Sequence, residues 1–193
     1  MLILASRSPQ RVDLLRQAGV AFEVDPADID ESQCVPAWPA ERVAEHLATE
    51  KARAVAARHP LSWVLGADTV VAAGDELLGK PIDAADARRM LSTLSGSAHR
   101  VITGVCLIGP LQNERRQQTG DHVVSTIHMR LLTPDEVDAY IASRQWEGKA
   151  GGYGLQDNDP FVTCTDGSPS NVIGLPMERV SQMLRNAGLI PHR

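Results

Sequence analysis

Residues 61–73, LSWVLGADTVVAA, are a near-continuous apolar run broken only by Gly66-Ala67-Asp68-Thr69. Such a run reads as one bent buried strand or a strand pair. Small residues followed by an acid at the end of a buried strand mark the usual place for a site residue in an open α/β sheet. Asp68 is therefore the first candidate: it can hold a divalent cation or take a proton from water. A turn-capping Asp is the plainer alternative.

Around this run, helix and strand patterns alternate. Residues 2–5 read as a strand. A helix follows with Ser8 as its cap, Pro9 in its first turn and Gly19 at its exit. Residues 20–24 are a second strand, 39–58 a long helix and 83–94 another. Residues 100–109 and 120–132 alternate as strands, and 133–143 begin with a capping box of Thr133 and Glu136. A glycine-rich irregular stretch spans 147–160, then a strand at 161–165, and a last helix runs to about Ala187. The pattern predicts an α/β protein with a mixed, twisted sheet, one unit over residues 1–193 whose two lobes share a cleft.

Composition removes several classes. Aromatics are 4% of residues, which leaves no base-stacking surface for single-stranded nucleic acid. The formal charge of −5 does not suit a DNA- or membrane-surface binder, although a local anion site is compatible with it. The three cysteines, Cys34, Cys106 and Cys164, are odd in number and dispersed, so neither a disulfide framework nor a zinc knuckle is expected, and a reducing cytosol is. No apolar run approaches membrane-spanning length, and the first residues lack the basic region of a signal peptide.

Residues 74–81, GDELLGKP, almost spell a phosphate-binding loop. Pro81 stands where the metal-binding hydroxyl belongs, and no helix begins at Lys80. Two short strands joined by a Gly-Asp turn fit better. Lys80 stays a candidate cation at a strand end.

Three other places carry chemistry. In LASRSPQR, residues 4–11, a strand runs through a serine-rich turn into a helix, so backbone N–H groups and the positive end of the helix meet at one point. Ser6 and Ser8 add hydroxyls there, and the Arg11 fork can reach a phosphate; a simple Ser8 cap with a solvated Arg11 is the alternative. At 100° per residue, Lys51 falls within the apolar stripe of the 39–58 helix, where a charge is costly unless it meets a partner or ligand. In EGKAGGYGLQ, residues 147–156, four glycines allow a backbone that wraps a ligand, Lys149 adds a cation and Gln156 an amide suited to a base edge. Asp28, Asp30 and Glu31 could join Asp68 around a magnesium ion.

These segments, LASRSPQR, LATEKA, GADTVV, GKP, MLSTLSG, GKAGGYGLQ and NVIGLP in this order, resemble the Maf family of nucleoside triphosphate pyrophosphatases, also called septum formation inhibitors. The resemblance implies an elongated central mixed sheet flanked by helices, bilobed with a cleft, similar to inosine triphosphatases. It implies hydrolysis of a nucleoside triphosphate to monophosphate and pyrophosphate with Mg²⁺ or Mn²⁺, in the cytoplasm, by a protein that is a homodimer at the family level. By position, Asp68 matches the catalytic acid and a metal ligand, and Glu31 a second acid near the metal. Ser6, Arg11, Lys51 and Lys80 match phosphate-side positions, and Thr69 and Gln156 positions tied to base selection. Gln10 replaces the first of two consecutive arginines associated with base choice. Residues 149–156 resemble the branch that prefers dTTP and UTP, whereas 157–171 depart from its pattern. The rival reading is a non-catalytic nucleotide sensor that regulates cell division.

Overall fold

The computed structural model describes residues 1–29, 38–157 and 161–191. Among these residues, seven strands form one sheet: β1 (Leu2–Leu4), β2 (Glu23–Val24), β3 (Trp63–Ala73), β4 (Glu76–Leu78), β5 (Ala98–Gln112), β6 (Arg115–Met129) and β7 (Val162–Asp166). The order is β2-β1-β3-β5-β6-β7, with β4 also paired to β3. β1 runs parallel to β2 and β3, and the other pairings are antiparallel. The α-helices are α1 (Pro9–Gln17), α2 (Ala40–Arg58), α3 (Ala84–Leu94), α4 (Pro134–Ser143), α5 (Pro169–Ile173) and α6 (Met177–Asn186). The mixed sheet flanked by helices is the expected one.

Caps formed where the sequence placed them. The Ser8 side chain accepts the Arg11 N–H, and Thr133 and Glu136 make a full capping box. The near-miss phosphate loop is a hairpin, with Gly74 in the left-handed region at φ 58° in the β3–β4 turn. Three strands differ from expectation. The second has two residues instead of five. β5 and β6 extend well past Gly109 to a two-residue turn at Asn113 and Glu114, both at positive φ. The polar stretch 110–119 hides this extension, because it carries no apolar face to bury.

One face of the sheet is covered by α2. Ala44, Leu47, Ala48, Ala52 and Val55 pack there against Val64, Val70, Ile102 and Cys106. The approach is unusually close. A Cβ built on Gly66 would stand 2.3 Å from the Ala48 carbonyl oxygen, and one on Gly104 2.2 Å from that of Ala44. On the other face the core divides in two. Leu2, Leu4, Leu15, Leu65, Val180 and Leu184 form one part; Val71, Leu91, Leu94, Val101, Ile127 and Phe161 form the other. Polar Thr69, Thr103 and Asn171 lie between them, bonded in series. The division follows from topology: β1 pairs with the first part of β3, up to Leu65, and β4 only with its last part, from Val71. Between the two, this edge of β3 has no strand partner among the described residues, and Asp68 lies in that gap.

Candidate active site

The gap in the sheet opens onto a cleft walled by α1, β3 and the glycine-rich stretch. Asp68, Thr69, Arg11, Gln10, Lys80 and Gln156 all line it. Six of the eight residues singled out as catalytic or substrate-binding thus face one space, although they come from four separate segments. The remaining two stand directly behind. The Lys51 ammonium meets Asp68 Oδ1 at 2.5 Å, and the Ser6 hydroxyl accepts from Arg11 at 3.2 Å. Glu31 and Asp30 lie outside the described residues.

Asp68 and Lys51 are each 7% exposed. The pair exists because Gly66 and Gly104 let α2 sit down on the sheet. Asp68 projects from β3 on the same face as Gly66 and lies in register with Gly104. Lys51 follows Ala48 on the helix, so its inward direction, costly by itself, ends on a carboxylate.

Arg11 has a different surrounding from the one its sequence position suggested. It is 7% exposed, and its Nε donates to the Gly174 carbonyl at 2.7 Å. Nη1 donates to the Ala67 carbonyl at 2.8 Å, and Nη2 to the Thr69 hydroxyl at 3.0 Å. Ala67 is paired with β5 on one edge, but on the β1/β4 edge it has no strand neighbour among the described residues, so the guanidinium satisfies a carbonyl that a β-strand would otherwise take. Arg11 thereby ties α1, β3 and the α5–α6 connection together at the cleft wall.

Lys80 is exposed at the rim. The carbonyl of Gly79 beside it accepts the Gly151 N–H at 2.9 Å, which anchors the glycine-rich stretch to the β3–β4 hairpin. Gly151 and Gly152 are both left-handed, at φ 70° and 75°, a conformation that favours glycine.

Sequence reasoning missed several residues here. The Asn171 amide, fully buried, donates to the Val101 carbonyl and the Ser125 hydroxyl at 3.0 Å each, pinning α5 to β5 and β6. Tyr153 lines the cleft, and its hydroxyl lies 2.6 Å from His99 Nε2. Burial first, then nearby His128, lowers His99 to about 4, and burial pushes the Tyr153 phenol up. Unfolded His99 gains a proton below about 6.5, whereas the folded residue resists until about 4. The unfolded state therefore binds more protons in this window, and stability falls as pH drops through it. Thermal melts from pH 7 to 4.5 should show that decline, with a shallower slope in His99→Gln. Equal slopes would clear His99 of the effect.

A separate group with metal-ligand atoms, Glu45, Asp121 and His122, has those atoms within 4.8 Å of one another. None of the three lines the cleft. Their side chains already have partners: His122 Nδ1 bonds Glu45 at 2.7 Å, and Asp121 pairs with Arg179 at 2.5 Å. Among the described residues, no helix is long and apolar enough to cross a membrane.

Comparison with known proteins adds the following. The family model described as Maf-like protein matches residues 1–187. A protein named dTTP/UTP pyrophosphatase in Caulobacter vibrioides is 47% identical over 193 residues, covering 98% of this chain and 97% of that one. Another of the same name in Rhodospirillum rubrum is 43% identical over 194 residues, covering 100% and 90%. Among solved structures, a nucleoside-triphosphatase / dITP/XTP pyrophosphatase from Mycobacterium abscessus aligns with a TM-score of 0.43 and 20% identity, over 98% of this chain and 97% of that one.

Proposed function

The chain belongs to the Maf family, and from that premise we propose that it is a nucleoside triphosphate pyrophosphatase acting on dTTP and UTP. The observation that carries this reading is the meeting of Asp68, Arg11 and Lys80 on one cleft. The relatives named above add the substrate class. The regulatory alternative has no observation in its favour.

Cleavage to monophosphate and pyrophosphate needs water to attack the α-phosphorus in line, a base for its proton, and charge neutralisation along the phosphates. Asp68 is the base. Lys51 fixes the carboxylate from behind through its bond to Oδ1. Lys80 at the rim neutralises the tail, and Arg11 with Ser6 shapes the wall where α1 begins. Thr69, Gln10 and Gln156 offer hydroxyl and amide groups to sugar and base.

A divalent metal fits this donor set. Mg²⁺ uses one or two carboxylates together with substrate phosphates, and Asp68 presents a carboxylate to the cleft. Asp68, with Glu31 as a second ligand, would hold Mg²⁺ or Mn²⁺, which supplies Lewis-acid stabilisation of phosphoryl charge. Free Cys106 and Cys164 accord with a reducing cytosol as the place of action.

The test is to incubate purified protein and Mg²⁺ with dTTP, UTP, CTP and GTP and to measure pyrophosphate. Release from dTTP and UTP ahead of the others is expected. Orthophosphate without pyrophosphate, or no product from any of the four, defeats the proposal.

A further inference from the structure

The stretch from Lys149 to Asp157 contains an ion pair that plays no part in the chemistry above. Lys149 Nζ is bonded to Asp157 Oδ1, and the two side chains are 14% and 6% exposed. The other oxygen, Oδ2, accepts the Tyr140 hydroxyl at 2.6 Å and the Gly154 N–H at 2.9 Å. One carboxylate thus gathers three donors: a cation, a phenol from α4 and a backbone amide in the middle of the stretch. Burial, then the Asp157 hydrogen bond, pushes the Tyr140 phenol up, so it remains a donor.

Gly154 shows what this arrangement is built around. A Cβ there would stand 2.9 Å from Asp157 Oδ1, 3.0 Å from Gln156 Nε2 and 3.0 Å from Lys149 Nζ. Three polar side-chain atoms from three residues converge over one backbone position that lacks a side chain. Lys149, Gly154 and Gln156 all face the cleft.

An unpaired ammonium on this wall would compete with Lys80 for the triphosphate tail. Paired with Asp157, it carries little net charge but keeps directed N–H donors. Those donors, with the Gln156 amide, suit the carbonyl and N–H edge of uracil or thymine. We propose that Asp157 is the positioning residue of the nucleobase end of the cleft: it aims Lys149 and Gln156 at a pyrimidine carbonyl edge and cancels the Lys149 charge, so that phosphate is refused there. The proposal rests on the triphosphate reading given above and adds a device that distinguishes the two ends of the substrate.

The experiment compares Asp157→Asn, Lys149→Met and the double variant in steady-state hydrolysis of dTTP, with pyrophosphate as inhibitor and a thermal melt of each protein. Asn keeps the shape and can still accept from Tyr140 and Gly154. The KM of Asp157→Asn should rise about tenfold, with a much smaller loss in kcat. Lys149→Met should match it, and the double variant should be no worse than either, as expected of two residues acting as one unit. Pyrophosphate should inhibit Asp157→Asn several-fold more strongly than wild type, and adding Lys149→Met should abolish that gain, a pattern that loss of stability cannot mimic. Additive losses, unchanged pyrophosphate inhibition, or kcat and KM drifting together with the melting temperature would overturn the proposal. If the wild type hydrolyses no triphosphate, the functional reading fails separately. Calorimetry with dTMP and pyrophosphate then decides: Asp157→Asn should bind the first more weakly and the second more tightly, and the opposite or no change refutes the role.

Discussion

Asp68→Asn should lose turnover by about 10²–10⁴-fold, the range general-base catalysis supplies, while nucleotide affinity stays within a few-fold. Asn has nearly the same volume and can still accept from Lys51 Nζ, which now lies 2.5 Å from Oδ1, but it cannot take a proton from water. A second effect must be separated from this one. Asp68 is 7% exposed, as is Lys51, and removing one partner of a buried ion pair costs about 3–5 kcal/mol because the other charge is stranded. A domain of this size has only about 5–15 kcal/mol in total, so the single variant could be inactive through unfolding. The double variant Asp68→Asn/Lys51→Met resolves this. It removes both charges, should recover most of the melting temperature and should remain without turnover. Single-turnover pyrophosphate release and a thermal melt on the two proteins are sufficient. Wild-type turnover by a folded Asp68→Asn protein would take Asp68 out of the mechanism.

That Lys51 needs a partner or a ligand was legible in the helical wheel of α2, since a charge within an apolar stripe is otherwise costly. That the partner is the Asp68 carboxylate depends on how α2 lies on the sheet, and that is set by two glycines whose meaning is steric and long-range. The caps of α1 and α4 and the β3–β4 hairpin were legible because each is settled within a few residues. Arg11 shows the opposite case. A cation in the first turn of a helix suggested an anion nearby, whereas its guanidinium bonds the Ala67 and Gly174 carbonyls. Residue spacing does not reveal that β1 and β4 leave part of one β3 edge without a strand neighbour among the described residues, so the need for a donor there stays hidden. Asp157 was equally hidden, as one acid among several polar residues, because its partners Tyr140 and Lys149 come together only when the glycine-rich stretch folds back on α4.

The largest effect on stability is expected from the glycines under α2. A Cβ on Gly66 would meet the Ala48 carbonyl oxygen at 2.3 Å, the Ala52 nitrogen at 2.8 Å and the Ala52 Cβ at 2.9 Å. One on Gly104 would meet the Ala44 oxygen at 2.2 Å and the Glu45 nitrogen at 2.6 Å. These neighbours are helix backbone, which no rotamer change can move aside, so the helix must lift or the strand must bend. Overpacking usually costs about 1–3 kcal/mol, and rigid backbone on both sides puts Gly66→Ala and Gly104→Ala at the top of that range or above it, about 3 kcal/mol each. For a chain of this length, that lowers the melting temperature by roughly 6–12 °C. Gly120→Ala is the internal control, since its Cβ would find nothing nearer than a carbonyl at 3.8 Å, and it should melt close to wild type. The two damaging substitutions should also impair catalysis in whatever protein remains folded, because lifting α2 carries Lys51 away from Asp68, and a misplacement of about 1 Å at a reacting centre can cost about a hundredfold in rate. Stability and turnover would then fall together in Gly66→Ala and Gly104→Ala, unlike in the Asp68→Asn/Lys51→Met pair, where they separate. If Gly66→Ala melted with the wild type, α2 would not lie as close to β3 as described, and the buried pair that organises the cleft would need another explanation.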